Sequence, residues 1–188
     1  MKRKFIRNFL KLFLSLAIAG IVSGIAGYAY LEFYYYRDRF DWVSPLPSAS
    51  KLQIRRDAWG KGDFGARRNG GRRHRGVDLL AEVEDPVAAV RSGRVRVGEV
   101  PNGMGIYAAV THRDGLKTIY GHLTKATVKD RSRVRQGQRI GLVGRTGNAA
   151  DKEIHTHLHF EIRRGKEALD PMPFLNEAVP NNSLKQAK

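Results

Sequence analysis

Cysteine is absent from the 188 residues. That excludes disulfide staples and thiolate ligands, so any transition metal must rest on histidine and carboxylate. Acidic residues are scarce: 18 Asp and Glu stand against 34 Lys and Arg, a formal charge of +16. Such an excess favours anionic partners, whether nucleic acid, lipid headgroups or an acidic polymer, and by itself does not choose among them. Helical periodicity is scarce beyond Lys51. Ala81 to Val90 comes nearest, and Pro86 interrupts it. What is present is enough apolar residue, 41%, for the core of one ordinary domain of about 100–150 residues.

The N-terminus predicts a membrane span. Lys2, Arg3, Lys4, Arg7 and Lys11 precede an uncharged run from Leu12 to Leu31, which as a helix is about 30 Å long, the thickness of a bilayer core. Residues 1–11 are therefore expected to be a basic cytoplasmic segment and 12–31 a single transmembrane helix. The run is longer than the apolar region of a signal peptide, and Tyr28 and Tyr30 flank Ala29 where a small-x-small cleavage site is wanted. A retained anchor is the expectation. Tyr28, Tyr30, Phe33, Tyr34, Tyr35, Tyr36 and Trp42 suit the outer interface. Residues 32–50, with Pro45, Pro47 and several serines, read as a linker that holds the C-terminal domain within about 65 Å of the membrane.

From Lys51 the pattern is β. Arg94-Val95-Arg96-Val97 alternates polar and apolar, and Gly105 to Thr111 turns through Arg113-Asp114-Gly115 into Leu116-Lys117-Thr118-Ile119-Tyr120, a hairpin. Glycine-punctuated short strands run from Val134 to Val143, and Thr156 to Arg163 gives the last strand. An all-β, antiparallel domain of two packed sheets is expected over residues 51–175, with residues 176–188 a polar, disordered tail. His157-Leu158-His159 places two imidazoles on one face of that last strand, and His74-x-x-x-Asp78 bends around Gly76. Alone, the first is also what any polar strand face offers, and the second what any surface loop offers. Together they supply four candidate ligands for a zinc that needs three and an open position, leaving one for chemistry.

His74-x-Gly76-x-Asp78, Tyr120-Gly121-His122-Leu123, the run from Gly137 to Gly147, and His157-Leu158-His159-Phe160-Glu161 occur in that order. In this they resemble the lysostaphin/LytM-type zinc endopeptidases, over about Phe64 to Phe174. The resemblance implies that His74, Asp78 and His159 bind Zn²⁺, with His122 and His157 beside the metal as catalytic groups. Zinc so held is a Lewis acid. No HExxH helix supplies a glutamate base, so one imidazole must take the water's proton while another cation or N–H donor meets the oxyanion. Which imidazole does which stays open. Tyr120, read as sharing the strand face of His122, is a candidate oxyanion donor, and His155 a candidate fourth ligand or groove-lining residue. His112 reads as structural, and Glu161 as an orienter of an imidazole or a surface ion partner. The arginines at 67, 68, 72, 73 and 75 read as a solvated loop or as an attractor of anionic substrate. Asn148 to Thr156 is longer than the family's turn, which leaves groove shape open.

The implied protein is a membrane-anchored zinc metalloendopeptidase. It would cut peptidoglycan cross-links or stem peptides on the periplasmic side of a bacterial inner membrane. The alternative is a non-catalytic module that binds or activates other wall hydrolases; a protein substrate is a neighbouring option. No nucleic-acid motif is present, and no nucleic-acid partner is expected. Nothing in the sequence fixes an oligomeric state.

Overall fold

The structure, a computed structural model, describes residues 2–37 and 42–178, without the side chains of residues 34–37 and 69. The chain divides into two compact units at Arg37. The first is one helix, α1 (Lys2–Arg37). Nothing between Lys2 and Lys11 breaks a helix, so α1 takes in the basic segment as well as the apolar run. It is long and apolar enough to cross a membrane from Lys2 to Phe33, and none of that stretch is buried.

The second unit is an antiparallel β domain. Its strands are β1 (Arg56–Asp57), β2 (Gly60–Lys61), β3 (Val77–Leu80), β4 (Pro86–Ala88), β5 (Gly93–Val100), β6 (Gly105–Thr111), β7 (Leu116–Ala126), β8 (Arg133–Val134), β9 (Arg139–Val143), β10 (His157–Arg164) and β11 (Glu167–Leu169), closed by a short helix α2 (Met172–Asn176). β1 and β2 form a two-stranded sheet. The other nine form one large sheet with the path β11-β10-β7-β6-β5-β8, from which β3 branches off β10, and β9, carrying β4, off β7.

Strand β10 shows why the sheet has two unlike faces. Leu158, Phe160 and Ile162 are fully buried and, by strand alternation, face the core, while His157, His159, Glu161 and Arg163 face the other way. Tyr120 of β7 lies directly across from Phe160, and the two rings pack at 5.3 Å between centroids. Val77, Leu79, Val95, Val110, Leu123, Ile140 and Val143 are among the other members of that core.

Two expectations change here. The stretch 32–50 is not a free linker throughout: α1 runs to Arg37, and Trp42, Val43 and Leu46 are buried, Trp42 and Leu46 within the domain's main core. Trp42 therefore belongs to the β domain and not to a membrane interface. Its ring packs on Phe174 at 4.9 Å and under the Arg91 guanidinium at 5.3 Å. Of the expected tail 176–188, residues 179–188 lie outside the described residues.

Candidate metal centre

Register brings the cluster together. His159 lies across from Asp78 of β3 on one side and from Gly121 of β7 on the other. An antiparallel pairing therefore sets an imidazole against a carboxylate, with no side chain on the third strand to crowd them. Gly76 permits this approach, because a Cβ there would run into the Phe160 carbonyl oxygen. His74 enters from the preceding loop, pinned by His74 N–H donating to Ala66 O at 2.8 Å and by Gly65 N–H donating to His74 O at 2.9 Å.

The three donor atoms converge. His159 Nδ1 is 2.9 Å from Asp78 Oδ1, His74 Nε2 is 3.1 Å from the same oxygen, and the two imidazole nitrogens are 3.1 Å apart. All three residues are buried, and one ligand atom from each lies within 4.8 Å of the others, a spacing that can hold a metal ion. Neighbours fix which nitrogen faces the centre. His74 Nδ1–H donates to Asp63 O at 2.9 Å, which leaves its Nε2 lone pair inward. His159 does the reverse: its Nε2–H donates to Glu161 Oε1 at 3.0 Å, which turns Nδ1 inward. Asp78 Oδ2 accepts from Arg68 Nη2 at 2.9 Å and Arg55 Nη2 at 3.2 Å, so Oδ1 alone faces the histidines. Two imidazole nitrogens, His159 giving up its second proton as a metal binds, and one carboxylate oxygen are a donor set that fits zinc.

His122 and His157 stand beside this trio. Their rings are 4.9 Å apart between centroids, and His122 is 5.7 Å from the His159 ring. His157 Nδ1–H donates to His155 O at 2.7 Å and His122 Nδ1–H to Thr146 O at 2.8 Å, so each keeps a bare Nε2. The His157 Nε2 is 3.8 Å from Asp78 Oδ1. His122 reaches this face through a bulge: Ile106 pairs with Leu123 but Ala108 pairs with Tyr120, so β7 carries one extra residue, and His122 takes φ 59°.

The same bulge corrects the place of Tyr120. It breaks the alternation, so Tyr120 and His122 do not share a face. The Tyr120 hydroxyl lies in the core, accepting from Val90 N–H at 2.9 Å and hydrogen-bonded to Thr118 at 3.1 Å, and burial pushes its phenol pKa up. His155 takes the groove-lining place of its two expected roles and adds no fourth ligand. Its exposed side chain lines a groove of about 570 Å³ with Lys51, Arg145 and Lys152, and only its backbone carbonyl serves the cluster, by orienting His157. His112 is structural, with Nδ1–H donating to Ser92 O at 3.0 Å and Nε2 accepting from the Thr118 hydroxyl at 2.9 Å.

Electrostatics sort the imidazoles. Burial, with the neighbouring His157 and His159, lowers the His122 pKa to about 3. Burial also lowers that of His157, although Asp78 opposes it. Burial disfavours charge on His159 as well, but hydrogen bonds with Asp78 and Glu161 outweigh it and raise the pKa to about 9. Burial would raise both carboxylates. Hydrogen bonds with His159 and His74 instead hold Asp78 well below its usual range, and those with His159 and Arg163 bring Glu161 to about 2. His122 and His157 are thus neutral near pH 7, each with a lone pair to accept a proton.

Sequence reasoning missed Arg55, Asp57 and Thr146. Arg55 is buried against Asp57 and Asp78, about twenty residues from the nearest motif. Arg68, read as part of a solvated loop, is a direct partner of Asp78.

Residues 72–171, more than half the chain, match the sequence profile of peptidase family M23. The glycyl-glycine endopeptidase ALE-1 of Staphylococcus capitis is 36% identical over 133 residues, 70% of this chain and 36% of that protein. The murein hydrolase activator EnvC of Escherichia coli is 35% identical over 112 residues, 60% of this chain and 26% of that protein. Among solved structures, the catalytic domain of lysostaphin from Staphylococcus simulans superposes with a TM-score of 0.53 at 34% identity, covering 65% of this chain and 92% of that one. The chain thus spans about a third or less of the length of these two curated relatives.

Proposed function

The chain belongs to peptidase family M23, and from that premise we propose that it is a membrane-anchored zinc metalloendopeptidase hydrolysing peptide bonds in peptidoglycan cross-links or stem peptides. The observation that carries this reading is the convergence of His74 Nε2, Asp78 Oδ1 and His159 Nδ1, with two uncharged imidazoles beside them. Zinc held by those three atoms supplies Lewis acidity to the scissile carbonyl. His122 and His157 do the proton work: either accepts the attacking water's proton at its bare Nε2, and the imidazolium so formed hydrogen-bonds the oxygen that becomes negative and then passes the proton to the leaving amide nitrogen. The carbonyls of Thr146 and His155 hold those rings in place and fix their tautomers. Glu161 and the two arginines do the same for His159 and Asp78.

Charge and α1 support this substrate and place. Peptidoglycan carries free carboxylates, which suits a chain of +16. The basic residues at the start of α1 support a cytoplasmic N-terminus and, with it, a β domain on the outer side of the membrane. The proposed domain runs over 51–175, from the onset of the β pattern, with Trp42 and Leu46 ahead of it packed in its core.

A second reading is supported by the likeness to EnvC, which is named as an activator of murein hydrolases: this domain would recruit or switch on other wall enzymes. One assay separates the two. The full chain, loaded with zinc, is incubated with purified sacculi with and without chelator. New peptide ends that chelator abolishes support the enzyme. Absence of new ends, with retained binding to sacculi, favours the activator.

A further inference from the structure

We propose that the site-bearing face of the large sheet carries a track for a linear polyanion, a row of four cations and one threonine that runs across five strands and holds the polymer near the metal centre. It rests on the peptidoglycan reading and names the surface that takes the polymer. The row is set by register. Arg163 of β10 pairs with Lys117 of β7, Lys117 with Thr111 of β6, Thr111 with Arg94 of β5, and Arg94 with Arg133 of β8. Residues directly opposed in a sheet project from the same face, and residues two apart on a strand do so too. Arg163 is two residues from Glu161 and four from His159, so all five positions share the face of the metal cluster. The alternate positions Ile162, Thr118, Val110, Val95 and Val134 are buried at 0–1% exposure.

Four strand steps of about 4.8 Å make the row roughly 19 Å long, and four residues of β10 put its Arg163 end about 14 Å from His159. Arg94, Lys117, Arg133 and Thr111 are exposed. No acid stands in the row. Of the acids beside it, Glu161 is taken by His159 and Arg163 and Asp130 by Arg96 and Arg131. Arg94 and Arg133 oppose each other directly, and like charges so placed destabilise a strand pair. A polyanion lying across them removes that repulsion. The row is one side chain wide and includes no exposed large apolar residue, so it fits a line of charge better than a bilayer surface. Arginine and lysine together accept either carboxylate or phosphate oxygens, the former as a fork and the latter as a point charge.

The test uses the full zinc-loaded chain in neutral phosphatidylcholine nanodiscs, with poly-glutamate and polyphosphate as the two polymer probes. The triple variant Arg94→Gln/Lys117→Gln/Arg133→Gln is expected to bind the preferred polymer about tenfold more weakly or worse. Its log-log salt dependence should flatten by about 2, three lost contacts at roughly 0.7 each. A charge-matched control, Lys61→Gln/Lys125→Gln/Arg139→Gln, should change neither, and the triple variant should keep its zinc. The tighter of the two polymers identifies carboxylate or phosphate as the ligand. Equal weakening in both variants overturns the track and leaves only net charge. Association of the row with phosphatidylglycerol vesicles but with neither polymer overturns it in favour of a membrane surface. Polymer binding is read without hydrolysis, so a chain that binds through the row but releases no peptide ends contradicts the peptidase and not the track.

Discussion

Arg68 Nη2 lies 2.9 Å from Asp78 Oδ2, while the other oxygen of that carboxylate faces His74 and His159. With Arg55 as its second donor, Oδ2 is occupied, and the buried carboxylate is turned with Oδ1 toward the histidines. Arg68→Ala is expected to weaken zinc binding about 10–100-fold, the usual effect of losing a residue that orients a ligand. Arg55→Ala leaves Asp57 only the N–H groups of Trp59 and His155, so the domain should lose about 1–3 kcal/mol of stability. Zinc competition against a fluorescent chelator and thermal unfolding check the two. An unchanged zinc affinity in Arg68→Ala contradicts the role.

Glu161 holds His159 from the far side of its ring. Glu161→Gln keeps a carbonyl acceptor but removes the charge, so His159 should titrate below its present value of about 9 and hold zinc about tenfold less tightly. Histidine NMR titration of the metal-free chain and the same zinc competition measure both. A His159 pKa that does not move shows that Asp78 alone sets it.

Gly76 is the point of closest approach between the loop after His74 and β10. In Gly76→Ala the new methyl meets the Phe160 carbonyl and the Glu161 side chain, which must push β3 from β10. Overpacking of this kind costs about 1–3 kcal/mol, and it parts Asp78 from His159, so zinc affinity should fall together with melting temperature. Loss of stability with zinc binding intact argues against the register as the source of the site.

His112 makes stability depend on pH. Burial, the leading cause, lowers its folded pKa to about 4 from an ordinary 6.5. The unfolded chain therefore binds the extra proton between those values. Stability from this group is fully present above about pH 6.5 and is lost as pH falls toward 4, by about 3 kcal/mol in all. In His112→Gln, denaturant unfolding between pH 6.5 and 4 should show a shallower slope, by up to one proton. An identical slope contradicts the assignment.

Much of the site is legible in the sequence because period and spacing carry it. The alternation in His157-Leu158-His159-Phe160-Glu161 marks both the core face and the ligand face of β10, and Gly76 between His74 and Asp78 marks the bend. The face of Tyr120 is not legible. Strand period assigns it with His122, and only the extra residue in β7, visible in its pairing with β6, reverses that. Arg55 and Arg68 are hidden for another reason: they reach Asp78 through the fold, and in a chain with 34 basic residues nothing local distinguishes a buried arginine from a solvated one. Proximity to the apolar helix assigns Trp42 to the membrane interface, whereas Phe174 and Arg91, which hold it, are distant in sequence.

The central claim, that the cluster is a working zinc peptidase site, is tested most directly by measuring zinc stoichiometry and release of new peptide ends from sacculi on the same preparations of wild type, His159→Ala and His122→Ala. Wild type should bind one zinc and release peptide ends, His159→Ala should lose both, and His122→Ala should keep its zinc while its rate falls by about 100-fold or more. A His122→Ala chain that cleaves as fast as wild type, or a zinc-loaded wild type that releases nothing, contradicts it.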